Sequence, residues 1–204
     1  VPDFFSSDGY HSVSDKKAKI VTSIAMFYDL GDPVLFAREI ESVLDDDGIW
    51  HFEQSYLPSM LRLNSYDTIC HEHLEYYSLF AVNKILEAAD LKVADVAMNN
   101  INGGSFAVTA VKKSNTEIEI NSTVINWTLE QELRMGLDTP RPYREFEERV
   151  FRHREDLTRL IKGLVADGKK VYGYGASTKG NVILQFCNFT SKEITAIAEV
   201  NEEK

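Results

Sequence analysis

Cysteine is scarce in this sequence of 204 residues, with only Cys70 and Cys187, far apart and outside any Cys-x-x-Cys spacing. That usage suits free thiols in a reducing cytoplasm rather than a disulfide framework. Positive charge is short as well. The 22 Lys and Arg against 32 Asp and Glu leave a net charge of -10 and a pI near 5.0. A nucleic-acid surface needs clustered Lys and Arg, so no nucleic-acid partner is expected. An anionic ligand would need local donors. No apolar run is long enough to span a bilayer and no basic-then-apolar leader is present, so no membrane partner is expected either. No Met opens the chain and it stops just after an apparent strand, so it reads as a piece of a longer protein. Oligomeric state is not legible in the sequence.

What is present suffices for a packed core and one or two domains, at 44% hydrophobic and 11% aromatic content. The Ile- and Val-rich run 19–27 predicts a buried parallel strand. Asp32-Pro33 then supplies an N-cap and a first-turn proline for a helix carrying Phe36, Ile40, Val43 and Leu44. Asp45-Asp46-Asp47-Gly48 predicts a solvated turn before a strand at 49–53. Strand, helix and strand in that order imply one crossover in an α/β sheet. Val82, Ile85, Leu86 and Ala89 mark a further amphipathic helix. Two strands at 91–96 and 106–111 should pair antiparallel, because the loop between them is too short for a helical crossover.

From residue 116 to 165 the pattern is helical, broken at Thr139-Pro140-Arg141-Pro142. Phe146, Val150, Leu157, Leu160, Ile161 and Leu164 form its later apolar stripe. Its charges read as a solvated face, and His153 has no partner that would make it functional. A strand at 170–174 then leads through Gly173-Tyr174-Gly175-Ala176-Ser177-Thr178-Lys179-Gly180-Asn181, a glycine-rich turn into a helix. Such turns bring backbone N–H groups and a helix N-terminus toward phosphate. A nucleotide triphosphatase loop requires Gly-Lys-Ser/Thr, which is absent. Gly-x-Gly-x-x-Gly is not matched either, since position 178 is Thr, although Glu199 is placed to meet a ribose hydroxyl. A turn needed only for packing is the simplest alternative.

The densest chemistry lies in Tyr66-Asp67-Thr68-Ile69-Cys70-His71-Glu72-His73-Leu74-Glu75-Tyr76-Tyr77-Ser78. A zinc-protease helix needs His-Glu-x-x-His, whereas Glu75 stands four after His71. His71 and His73 share a side only if the backbone is extended, and no other His or Cys cluster lies near to complete a metal tetrahedron. No metal is expected there. A half-buried histidine in a polar loop is one reading. A general base oriented by a carboxylate is the other.

The run from Cys70 to Ser78 resembles the signature of the S-adenosylmethionine-dependent sugar C-methyltransferases, which act on nucleotide-linked keto-deoxysugars. Asn102-Gly103-Gly104-Ser105-Phe106 and the Tyr174–Asn181 turn fit the same family in the same order. The resemblance implies His73 as the base with Glu72 beside it, and His71, Tyr76 or Tyr77 as donor to an enolate oxygen. Where the antibiotic-sugar branch carries Tyr, this chain has Cys70, so no phenol role carries over there. It also implies the second half of a class I, Rossmann-like methyltransferase domain over residues 1–113. A helical connector at 114–167 and the start of a Rossmann-like C-terminal domain at 168–204 follow. Met26, Phe27 and Tyr28 would touch the adenosyl group, or else are ordinary core residues. Asn102, Gly103, Ser177, Lys179 and Asn181 would meet the nucleotide-sugar, with Lys179 at its phosphates. The cofactor's glycine loop and a small zinc domain are expected upstream of Val1, so this piece alone should lack turnover. An NAD-dependent sugar oxidoreductase built on the 173–199 region and a non-catalytic subunit stay open as other classes.

Overall fold

Apolar alternation draws Trp50 and Phe52 onto one face of a long strand, and the first part of the fold is built on that face. A computed structural model describes residues 3–201. They form two compact units. The first holds the residues up to Leu63 and Leu74–Thr139; the second holds Asn64–His73 and the residues from Pro140 on.

In the first unit Ser6 caps a short helix, α1 (Ser7–His11), by accepting from the Gly9 N–H. β1 (Ala18–Ile24) leads into α2 (Pro33–Val43), whose N-terminus is capped by Asp32 accepting from the Leu35 N–H, with Pro33 in its first turn. β2 (Leu44–Ser55), α3 (Leu57–Leu63) and α4 (Leu79–Ala88) follow. β3 (Leu91–Asn99), β4 (Ser105–Lys112) and α5 (Ser122–Met135) complete the unit. Sheet order is β1-β2-β4-β3, with β1 parallel to β2 and the other two pairs antiparallel. Phe27, Phe36, Trp50 and Phe52 pack ring on ring at its centre, and Trp50 Nε1 donates to Ser23 Oγ at 3.0 Å.

Two expectations change. The strand read at 19–27 ends at Ile24, because Ala25 turns the chain with φ 53° and Phe27–Asp29 forms a 3₁₀ turn. Nor is that strand buried: Ile20 is 65% and Ile24 56% exposed. Among the described residues β1 pairs only with β2. The acidic run is not a free turn but an excursion within β2, since Ala18 faces Leu44 while Ile20 already faces Ile49. Cations hold it. Lys19 bridges Asp45 and Asp47, and the mostly buried Lys112 joins Asp46 and Glu41, both at 3.3 Å. Burial lowers the Lys112 pKa, but its bonds to Asp46 and Glu41 outweigh that and the net shift is upward.

The turn between β3 and β4 needs its glycine. Gly104 has φ +118°, and a Cβ there would stand 2.7 Å from Ser59 Cβ and Oγ. Gly104→Ala combines an unfavourable dihedral with a clash, and is expected to lower stability by about 1–3 kcal/mol. Urea unfolding followed by circular dichroism checks this. A midpoint equal to wild type sinks it.

The second unit holds α6 (Arg141–Ala166), entered through Pro140, and a parallel pair, β5 (Tyr172–Tyr174) and β6 (Ala196–Ala198), joined through α7 (Thr178–Phe186). On α6 Val150 is buried while Leu160 is exposed, so the apolar stripe is only partly used. Asn64 follows α3 in the left-handed region, φ 59°, where asparagine is tolerated, and opens the 64–73 segment. Tyr66 from that segment packs its ring on Phe186 of α7 and on His153 of α6. Among the described residues no helix is long and apolar enough to cross a membrane.

Candidate functional site

In the first unit the pairing brings the carboxyl ends of β1 and β2 to the same edge as the β3–β4 turn, since Ser55 and Asn99 both face Ser105. That edge is where open α/β sheets place ligands. The second half of the dense segment is fastened there. Leu74 and Glu75 N–H groups both donate to the Tyr28 carbonyl at 3.0 Å, and the Leu57 N–H donates to the Tyr77 carbonyl at 2.9 Å. Tyr77 is buried against Phe27, and its hydroxyl has no hydrogen-bond partner among the described residues. Burial, then the Glu75 charge, push its pKa up, so it stays a protonated phenol. Gln54, 1% exposed near the end of β2, likewise leaves both amide atoms unpartnered. Buried polar groups without partners are rare and mark positions that water or ligand satisfies.

Met26 and Tyr28 are half-buried at this edge, whereas Phe27 is fully enclosed in the core. Phe27 therefore offers no surface to a cofactor. Asn102, with φ 53°, and Gly103 are exposed on the β3–β4 turn, where Asn99 Nδ2 donates to Glu53 Oε2 at 2.8 Å.

Glu132 escaped the sequence reading. It is 3% exposed on α5, and its Oε1 accepts from the Tyr56 hydroxyl at 2.8 Å and the Leu79 N–H at 2.6 Å. Oε2 accepts from the Phe80 N–H at 2.9 Å. A carboxylate thus seals the N-terminus of α4, where the helix dipole favours negative charge. Burial and then Glu132 push the Tyr56 phenol far up. The available signal was an acid aligned with the apolar residues Ile125 and Leu129 at helical spacing.

In the second unit His71 and Glu72 form a turn, not the extended backbone that would aim His71 and His73 to one side. His71 is exposed, 4.0 Å from Glu72 Oε1. His73 is half-buried, with Nδ1 2.8 Å from the Thr68 carbonyl oxygen. A carbonyl only accepts, so Nδ1 carries the hydrogen, and in the neutral ring Nε2 bears the lone pair. His153 has a structural partner: its Nδ1 lies 2.9 Å from the Tyr66 hydroxyl. Those two residues stand far apart in sequence and meet only through the fold. Cys70 is half-buried and Cys187 buried, both free thiols.

The glycine turn is less open to phosphate than its composition implies. The Ala176 N–H donates to Glu199 Oε2 at 2.6 Å, the Gly175 N–H to the Ala198 carbonyl and the Gly180 N–H to Ser177 Oγ. Ser177 is therefore the cap of α7. Glu199, whose Oε1 also accepts from the Val200 and Asn201 N–H groups, braces the turn rather than reaching for a ribose. Lys179 is half-buried and Asn181 exposed in the first turn of α7.

The structure groups Met26, Phe27, Tyr28, Tyr76, Tyr77, Asn102 and Gly103 in the first unit. His71, Glu72, His73, Ser177, Lys179 and Asn181 belong to the second. Residues 100–204 match the family model described as the C-methyltransferase C-terminal domain. The chain is 36% identical to the C-methyltransferase NovU of Streptomyces niveus over 177 residues, which cover 87% of this chain and 42% of NovU. It thus spans less than half the length of that relative. Similar solved structures include the mitomycin 7-O-methyltransferase MmcR, at 14% identity and TM-score 0.40, covering 50% of this chain and 32% of that one. LepI in complex with SAM is another, at 12% identity and TM-score 0.41, covering 48% and 27%. Likenesses of that size add nothing to the functional argument.

Proposed function

Because the chain belongs to the C-methyltransferase family, we propose that it is part of an S-adenosylmethionine-dependent enzyme that methylates C3 of a nucleotide-linked 4-keto-deoxysugar. His73 is the general base. The observation that supports this role is the 2.8 Å contact from His73 Nδ1 to the Thr68 carbonyl, which leaves Nε2 as the basic nitrogen.

Carbon is nucleophilic only when it carries electron density. A ketone at C4 lets the C3 proton leave, because the charge that develops moves onto the ketone oxygen. Imidazole suits the removal, since its ordinary pKa lies near neutrality. The oxygen that gathers charge takes a hydrogen bond from His71, Tyr76 or Tyr77, and the protonated Tyr77 phenol is a donor by its chemistry. Glu72 braces the turn beside the base. The cofactor's sulfonium supplies an activated methyl group. Met26 and Tyr28 are the side chains at the β1 edge that would line its adenosyl part. Asn102 and Gly103, on the exposed β3–β4 turn, would contact the sugar.

Exchange of the C3 proton for deuterium, followed in the full-length protein without methyl donor, tests the reading. Exchange is expected on 4-keto sugar nucleotides and not on their 4-hydroxy counterparts. Absence of exchange on every 4-keto sugar nucleotide tried removes the proposal.

Nucleotide recognition is assigned to Lys179, aided by Asn181 and with Ser177 holding the helix start. Since the turn's own N–H groups are largely engaged, the ammonium must do most of the work at the diphosphate. Lys179→Ala is expected to raise the sugar-nucleotide KM about ten- to a hundredfold, the worth of roughly 1.5–3 kcal/mol for a charge-assisted contact. Cofactor affinity should hardly move. A KM equal to wild type places the nucleotide elsewhere.

A further inference from the structure

The contact that gives His73 its tautomer comes from a backbone carbonyl, and a carbonyl is only as well aimed as the turn that carries it. That turn is the 3₁₀ segment Tyr66–Thr68. Inside it the Thr68 hydroxyl and N–H both donate to the Ser65 carbonyl, at 2.8 and 3.4 Å, and the Ile69 N–H returns to the Tyr66 carbonyl at 3.0 Å. Those bonds are local. They shape the turn from within.

Tyr66 ties the turn to α6 and α7. It is 5% exposed, its ring centroid lies 5.4 Å from that of Phe186 and 5.6 Å from that of His153, and its hydroxyl meets His153 Nδ1 at 2.9 Å. Phe186 is itself held from α6, with Phe151 5.6 Å away and the Arg154 guanidinium 5.0 Å over its ring. Thus two helices grip one aromatic side chain, and that side chain carries the turn whose carbonyl receives the His73 proton. All of these residues lie in the second unit.

We infer that Tyr66 is the positioning residue for His73, anchoring the Thr68 carbonyl against α6 and α7 so that Nδ1 keeps its hydrogen and Nε2 takes the substrate proton. The inference rests on the reading of His73 as the base. The ring carries more of the anchoring than the hydroxyl, because it is enclosed whereas the hydroxyl's partner His153 lies on an exposed part of α6.

The chain has five histidines, so ¹⁵N labelling of histidine gives a spectrum in which His73→Gln identifies the signal of interest. Wild type is expected to show His73 as the Nδ1–H tautomer. Tyr66→Phe, which keeps the ring, should preserve it. Tyr66→Leu, which keeps bulk without the aromatic contacts, should give a mixture of tautomers, and Tyr66→Ala more so. In the full-length protein the same series should slow C3 exchange about ten- to a hundredfold for Leu and Ala, the cost of a slightly misplaced catalytic group. Substrate KM should stay within about twofold. A merely structural role would lower the melting temperature of Tyr66→Leu while leaving the His73 tautomer and exchange rate alone, which overturns the inference. So does an Nε2–H tautomer in wild type. Exchange that persists in His73→Ala would instead remove the base assignment, and the tautomer spectra then still report whether Tyr66 sets the imidazole.

Discussion

Glu132→Ala is expected to cost the first unit about 3–5 kcal/mol, the loss typical of breaking a buried charged network. The substitution leaves the Leu79 and Phe80 N–H groups and the Tyr56 hydroxyl without the acceptor that all three now share. Each orphaned donor keeps its desolvation penalty, about 1–3 kcal/mol, and the start of α4 loses its counter-charge. Ser78 still caps the Ala81 N–H, so the helix is weakened rather than abolished. Glu132→Gln retains one acceptor oxygen and should fall between. Both tryptophans, Trp50 and Trp127, lie in the first unit, so their fluorescence in a urea titration reads that unit alone. A Glu132→Ala midpoint within about 1 kcal/mol of wild type would show that water replaces the carboxylate.

His73→Ala carries the largest expected effect on activity. In the full-length protein kcat should fall by about 10²–10⁴, the usual worth of a positioned general base. KM for substrate and affinity for cofactor should change little, since the imidazole acts on a proton and not on the bulk of either ligand. His71→Ala should cost less. The side chain is exposed on a turn and makes only a 4.0 Å approach to Glu72, so its loss removes at most one hydrogen bond to the developing oxygen. Deuterium exchange at C3 separates the two. Exchange that vanishes in His71→Ala and survives in His73→Ala reverses the assignment. Survival in both removes the histidines as base and leaves Tyr76 as the candidate, since the Tyr77 phenol stays protonated.

Local patterns were legible in the residues, and long-range pairings were not. Asp32-Pro33 announced α2 because an N-cap and a first-turn proline act within a few residues of each other. The short, glycine-containing link between β3 and β4 likewise announced an antiparallel pair. The acidic run at 45–47 read as solvated because its cations, Lys19 and Lys112, reach it only through the sheet. Glu132 read as one more charge on a helical face, since its three donors lie 52 to 76 residues away. The residue types of the dense segment were legible, but its geometry was not. Composition singled it out as a candidate, yet nothing in its spacing told that the chain passes from one unit to the other between His73 and Leu74. Tyr66 was visible as a member of that segment, and its hold on Phe186 was not.

The second unit is assembled from two stretches separated by about 70 residues, which has a bearing on the order of events during synthesis. At ~5–20 residues per second, Asn64–His73 leaves the ribosome several seconds before the helices that grip Tyr66. β3, β4 and α5 of the first unit are made in that interval. The Tyr66 ring therefore gains its Phe186 contact only when α7 arrives. If Tyr66 anchors the turn as inferred, a C-terminal truncation ahead of Phe186 is expected to remove one of the two rings that hold it.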